Sequence, residues 1–382
     1  MKRLSWLLLV AVLVFGMFPV TAKAADMQIE AKSAILMDVA TGQVLYEQDA
    51  NTPLAPASVT KVMTMLLIME AIDSGKIQWD DMVTASEEAA AKGGSQIYLK
   101  VGESMSVEDM VKSIAVSSAN DCACAMAEHL AGSEAAFVEQ MNSRAKELGM
   151  NDTKFVNCTG LDDSEEAKDH KTSAYDIAVM SRELLQNHPD IKKYTTIWMD
   201  TVRGGTFGLS NTNKMVRFYS GATGLKTGFT SGAGYCLSAS AQREGLELVA
   251  VVMGSETSPK RFAACKSLLD YGFANYALVQ PEVPQQLSVP VKLGKAQTVR
   301  AIPARETPLL IDKGQRSSVS VKTELDESVD APVSKGQRLG TMTIQAGQQV
   351  LAQIPLVAED PVEKLTFGDI FLKLFKQLAM AK

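Results

Sequence analysis

Hydrophobic and polar positions change period several times along the chain, and each change marks an element. Ala34–Val39 and Gln43–Glu47 are rich in apolar and β-forming residues around Ala40-Thr41-Gly42, which predicts a β-hairpin. Pro53–Glu70 then reads as a helix, with Pro56 at its entrance and Asp73-Ser74-Gly75 closing it. From Val62 to Met69 only Thr64 is polar, so this helix belongs in the middle of a domain. Val107–Val116 and Cys122–Leu130 predict two more helices, joined by the elbow Ser117-Ser118-Ala119-Asn120-Asp121. Ala174–Gln186 predicts another. The pattern next turns to strands at Gly224–Thr230, Tyr235–Ala241 and Leu246–Met253, with Ser231–Gly234 and Glu244-Gly245 as turns, giving an antiparallel meander. A helix over Lys260–Tyr271 follows. After Tyr276, Pro281, Pro284 and Pro290 interrupt short alternating runs, which predicts a small all-β domain over 282–360. In the tail, 361–382, Leu365, Phe367, Ile370, Phe371, Leu374, Phe375 and Leu378 recur at helical spacing. Lys364, Asp369, Lys373, Lys376 and Gln377 take the other faces, a pattern suited to a membrane surface.

The first residues change the picture of where the chain works. Lys2 and Arg3 precede an apolar run from Leu4 to Val20, and Ala22-Lys23-Ala24 offers a small-residue cleavage site. Residues 1–24 therefore read as a secretory signal, and an exported protein is expected. Removing them takes the formal charge from −6 to about −9. An acidic chain without a basic cluster argues against nucleic acid as a partner. With 382 residues, 46% apolar and 21% charged, two cores can form. Five cysteines, Cys122, Cys124, Cys158, Cys236 and Cys265, suggest no disulfide framework and read as small core residues. His129, His170 and His188 are scattered, so no metal is expected, and no cofactor motif is present. His170 beside Asp169 reads as a structural histidine rather than part of a triad.

Candidate chemistry centres on the buried helix. Ser58 and Lys61 lie one turn apart on one face. A lysine carried into a core loses hydration, which lowers its pKa. A neutral amine beside a hydroxyl can take its proton, and the helix N-terminus favours the alkoxide that forms. The same spacing recurs at Ser143 and Lys146, among Glu139, Arg144 and Glu147, and there reads as a solvated face.

Ser58-Val59-Thr60-Lys61, Ser118-Ala119-Asn120 and Lys226-Thr227-Gly228 stand in this order on a helix, an inter-helix loop and a strand. With these motifs the chain resembles the penicillin-recognising serine enzymes, and within them the low-molecular-mass D-alanyl-D-alanine carboxypeptidases. The resemblance covers nearly the whole chain. It implies an α/β (α+β) catalytic domain of the β-lactamase/transpeptidase-like type over 25–281, with an antiparallel sheet flanked by helices and a helical subdomain holding Ser118. It also implies a serine peptidase that removes terminal D-alanine from peptidoglycan stem peptides, is acylated by β-lactams and needs no cofactor. In the implied roles, Ser58 is the nucleophile, Lys61 its base and Ser118 a proton relay. Asn120 binds the substrate amide, and Lys226 is a second cation lowering the cost of a neutral Lys61. Thr227, with Gly228 and Thr230 on the same strand, binds the terminal carboxylate, and Arg261 helps to hold it. The backbone N–H groups of Ser58 and Phe229 would form the oxyanion hole. Phe229 stands where the family often has His. A β-lactamase is disfavoured because Glu165-Glu166-Ala167-Lys168-Asp169 lacks the Glu followed four residues later by Asn. A catalytically silent scaffold is disfavoured by the intact motifs.

Overall fold

The computed structural model describes residues 27–305 and 308–380. The leader 1–24 lies outside the described residues, as do the side chains of tail positions 373, 374 and 376–380.

The hairpin forms as β1 (Ser33–Asp38) and β2 (Val44–Gln48). Helices α1 (Lys61–Asp73), α2 (Val107–Ser117), α3 (Asn120–Ala131), α4 (Glu134–Glu147) and α5 (Ala174–Asn187) follow. Strands β3 (Ala222–Thr230), β4 (Gly234–Arg243) and β5 (Leu246–Ser255) form the meander, and α6 (Ser258–Asn275) closes the domain. The sheet order is β2-β1-β5-β4-β3, all neighbours antiparallel, so β1 pairs with β5 and β3 is an edge.

Both faces of this sheet are covered. Ile35, Met37, Val249, Val251 and Met253 point into a core shared with α1, α3 and α5. Ala34, Leu36, Leu248, Ala250 and Val252 point the other way, onto Leu268, Leu269 and Phe273 of α6. The period-2 alternation thus feeds two apolar layers at once, which is why these strands read as nearly continuous hydrophobic runs. Helix α1 lies inside the larger core, with Val62, Met63, Met65, Leu66, Ile68 and Met69 fully buried.

The second domain is a six-stranded sheet of β6 (Ser288–Lys292), β7 (Thr298–Pro303), β8 (Val319–Leu325), β9 (Val329–Asp330), β10 (Arg338–Ala346) and β11 (Gln349–Ala358), ordered β8-β10-β11-β7-β6-β9. Its core is built from Val289, Val299, Leu339, Met342, Ile344, Ile354 and Leu356. It docks on the first domain through Arg316–Glu244 at 3.0 Å and through Lys313 Nζ, which donates to Phe273 O at 2.9 Å. Helix α7 (Phe367–Met380) ends the described chain, with Phe367, Phe371, Leu372 and Phe375 exposed. Among the described residues no helix is long and apolar enough to cross a membrane.

Two local departures from the expected elements concern the site. The entrance to the buried helix is a 3-10 turn, Ala57–Thr60, and Lys61 is the first residue of α1 proper. Ala57 holds φ +49°, and Thr60 Oγ1 donates to Ala57 O at 2.8 Å, occupying a carbonyl at the helix entrance. Asn120 is the first residue of α3 rather than a loop residue, and Ser118 caps α2 in the left-handed region at φ +63°.

Candidate active site

Ser58 sits on the 3-10 turn, half-buried, with its hydroxyl facing Lys61. Lys61 Nζ lies 3.0 Å from Ser58 Oγ and donates to Thr159 O at 2.7 Å. The lysine is 0% exposed. Burial pushes its pKa down to about 7, against the pull of Cys158 and Asp121. A side chain that normally stays charged is therefore near half-neutral at physiological pH, one hydrogen bond from a hydroxyl.

The edge strand β3 closes over this turn at Gly228. A Cβ there would stand 2.6 Å from Pro56 O and 3.1 Å from Ser58 N, so only glycine permits the approach. Gly160 plays the same part on the other side: at φ +80°, its added Cβ would fall 1.9 Å from Ala57 O. The two glycines let a strand and a loop converge on the backbone of Pro56, Ala57 and Ser58. Lys226, two residues before Gly228 on β3, is also buried and donates to Thr227 O at 2.8 Å. Its pKa falls well below the usual value, first through burial and then through the cations Lys61 and Arg261. The sequence pointed to burial, with Lys226 as a second cation, as what lowers the cost of a neutral Lys61. In the structure burial is the chief cause at Lys61, and the repulsion between the lysines registers at Lys226, after burial.

Asn120 lies on the helical side. Its Nδ2 donates to Gly93 O at 2.7 Å and its backbone N–H to Ser95 O at 2.7 Å, which ties the Gly93-Gly94-Ser95 loop to the site. Its Oδ1 is buried without a protein partner, an acceptor held ready for a donor. Ser118, two residues earlier, is 3% exposed. Thr227 Oγ1 donates to Thr212 Oγ1 at 2.7 Å, and Thr212 N donates to Val116 O at 3.1 Å, linking β3 to the end of α2. Phe229 is 51% exposed and stacks on Tyr235 with centroids 4.3 Å apart. Thr230 Oγ1 accepts from Ala233 N at 3.1 Å and closes the turn after β3. Arg261 lies behind the strand: Nη1 donates to Gly228 O at 2.8 Å and to Cys236 O at 3.2 Å, and Nε is buried without a partner.

Sequence reasoning missed Thr159, Thr212 and Gly160. Thr159 contributes a backbone carbonyl, which any residue could supply. Thr212 lies in the polar run Ser210-Asn211-Thr212-Asn213, which carries no motif. His170 is structural: its Nδ1 accepts from Val156 N at 3.2 Å, so its Nε2 faces Thr60 Oγ1 as donor at 2.8 Å. Burial, with Lys61 and Lys171 nearby, lowers its pKa to about 4. All five cysteines are free and buried. Among the described residues two groups have metal-like spacing, Glu70 with Glu183 and His188, and Glu88 with Cys124 and Glu128. Both already hold a cation: Arg144 bridges Glu70 and Glu183 at 2.7 Å each, and Lys92 pairs with Glu88 at 3.3 Å.

A serine hydroxyl within hydrogen-bond distance of a buried lysine, with a glycine-bearing edge strand against its backbone, is the arrangement of a serine hydrolase of the Ser-x-x-Lys type. The comparisons narrow the class. Residues 19–257 match the D-alanyl-D-alanine carboxypeptidase family and residues 282–364 match the penicillin-binding protein 5 C-terminal domain. D-alanyl-D-alanine carboxypeptidase DacF of Bacillus subtilis (strain 168) is 42% identical over 379 residues, 96% of each chain. The structure of penicillin binding protein 5 from Haemophilus influenzae superposes with a TM-score of 0.77 at 31% identity, covering 89% of this chain and 99% of that one. Penicillin-Binding Protein D2 from Listeria monocytogenes in the ampicillin bound form, 32% identical with a TM-score of 0.60, covers 65% of this chain and 100% of that one. The chain belongs to the D-alanyl-D-alanine carboxypeptidase family of serine peptidases.

Proposed function

We propose that this enzyme removes the terminal D-alanine of peptidoglycan stem peptides through an acyl-enzyme on Ser58. The observation that carries this reading is the pair Ser58 Oγ and Lys61 Nζ, 3.0 Å apart, with the lysine buried and its pKa near 7. Lys61, neutral, takes the Ser58 proton as the oxygen bonds to the carbonyl carbon of the penultimate D-alanine. The Ser58 and Phe229 N–H groups receive the oxyanion. As the C–N bond breaks, the proton passes from Lys61, by way of Ser118, to the leaving amine. Water then attacks the ester carbonyl and gives a proton to the neutral lysine, which passes it to Ser58 Oγ as the ester C–O bond breaks. Asn120 Oδ1 accepts from the substrate's amide, and Thr227 holds the terminal carboxylate in the positive field of Lys226 and Arg261. Phe229 tunes the pocket wall.

A β-lactam acylates the same serine, a reading supported by the ampicillin-bound form of the Listeria monocytogenes relative. The chain is exported by its leader and held at the outer face of the cytoplasmic membrane by the exposed phenylalanines of α7. The test is release of free D-alanine from a linear D-Ala-D-Ala-terminated peptide and from cross-linked muropeptides, alongside labelling by a fluorescent penicillin. Release with slow loss of label is expected. No release with stable label marks a silent scaffold, and rapid turnover of penicillin marks a lactamase. Truncation before Glu363 is expected to release the protein from membranes without loss of peptidase activity. Truncated protein that still sediments with membranes refutes the anchor.

A further inference from the structure

Two walls of the site are joined by a side chain that touches neither the nucleophile nor its base. Glu134, the first residue of α4, is 9% exposed. Its Oε1 accepts from Cys158 N at 3.0 Å and from Cys158 Sγ at 3.1 Å. Its Oε2 takes Lys92 Nζ at 2.5 Å. Each contact leads directly to a site group. Cys158 is followed by Thr159, whose carbonyl holds Lys61, and Cys158 O itself accepts from Thr64 Oγ1 of α1 at 2.6 Å. Lys92 is followed by Gly93, whose carbonyl holds Asn120 Nδ2. Burial pushes the Glu134 carboxyl up, but Lys92 and the Cys158 N–H outweigh it, and the group stays below the usual carboxylate range. It is an ionised strap inside the molecule.

We propose that the Lys92–Glu134–Cys158 strap is a positioning device that sets the carbonyl holding Lys61 and the loop holding Asn120 together, so that base and substrate-amide acceptor keep one register. The proposal rests on the roles given above to Lys61 and Asn120. Two strands of argument favour it over simple packing. A buried ion pair is a weak way to gain stability, since apolar residues of similar volume often serve as well. This one also spends both carboxylate oxygens on backbone or cation neighbours of two different site residues, at sequence separations of 24 and 42. The loop it fixes covers Lys61, which is faced by Lys226 from β3, Asp121 from α3, and His170 and Cys158 from the neighbouring loops. Loosening that loop readmits water to the amine.

The full chain is compared with K92R, K92M, E134Q and the double variant K92M/E134Q. The double variant leaves no stranded charge, so it keeps the test alive if a single variant fails to fold. Glutamine retains the acceptor for Cys158 N while the pair with Lys92 is lost. Penicillin acylation and D-alanine release are measured from pH 5 to 10. We expect K92M/E134Q to lower kcat about tenfold and to raise KM. The acid limb of its acylation profile should move to higher pH, while K92R stays close to the native enzyme. A folded double variant with native kcat, KM and pH profile, changed only in its melting temperature, overturns the strap as a positioning device. Failure of the underlying reading has a different signature: K61M would then acylate at the native rate, whatever the strap variants do.

Discussion

The two domains bury very different things. Among the described residues, every buried polar or charged side chain lies at or before Arg261 in the first domain. Lys61, Lys226, Asp121, Glu134 and Arg261 are all inside it. The core of the second domain, around Leu339, Met342, Ile344 and Leu356, is apolar throughout. Burying an amine or a carboxylate costs free energy that an apolar core never meets. Strained backbone does not divide the two domains, since Leu293 of the second also holds positive φ, but in the first Ala57 and Ser118 hold it beside Ser58 and at the elbow. The first domain thus carries buried polar groups that oppose its own stability, and the core of the second carries none among the described residues.

The sharpest way to break this comparison is at Ser58. Ser58→Ala is expected to abolish D-alanine release and covalent penicillin labelling, a loss of at least about 10³-fold. Gel fluorescence and a D-alanine assay read both. Retained labelling would move the nucleophile elsewhere.

Lys61 comes next. Lys61→Met is expected to cut acylation by about 10²–10⁴-fold. In the native enzyme acylation should fall as pH drops through about 7, because the ammonium forms and the base is lost. Stability carries the matching sign. The folded pKa of about 7 lies below the ordinary 10.5, so the unfolded chain binds more protons between those values. Stability should therefore rise with pH across that window, and urea unfolding at pH 7 and pH 9 should show a smaller rise in K61M. An equal rise in both proteins would mean that Lys61 is not the group being titrated.

Gly228→Ala probes the approach of β3. The new Cβ meets Pro56 O at 2.6 Å and Ser58 N at 3.1 Å, so the strand must retreat. A displacement on the order of 1 Å at reacting groups can cost about 10²-fold, and that loss in kcat/KM is expected with the sheet still formed. Circular dichroism and steady-state kinetics together check it.

Much of this contrast is written in residue types. A lysine at the mouth of an apolar helix, a Ser-Ala-Asn elbow and a glycine in a strand each announce themselves, and their order identified the family. The meander and the alternating second domain follow from period and turn residues. What residue types do not show is which backbone group meets which side chain across long separations. Lys61 and Thr159 are 98 residues apart, and the contact is to a carbonyl that carries no side-chain signal. Arg261 carries its charge in sequence, but only the packing of α6 behind β3 and β4 shows that Nη1 is committed to Gly228 O and Cys236 O. Ala57 takes a left-handed conformation with no glycine to mark it, because Thr60 and the neighbouring loop fix it from outside.

The smallest effect on activity should come from the apolar core of the second domain. Leu339 is fully buried there, and Leu339→Ala should cost about 2–5 kcal/mol of that domain's stability. Catalysis should not change, for a geometric reason. The second domain grips the first at Phe273, near the end of α6, and at Glu244, just past the end of β4, whereas the site lies beside Thr230 and Gly234 at the beginning of β4. Ten residues of strand separate the two, about 30 Å at the rise of an extended chain. Denaturant unfolding should therefore show an early transition while D-alanine release below it stays native. If L339A loses activity before that transition, the strand transmits strain along its length, and the division between a working domain and a supporting one does not hold.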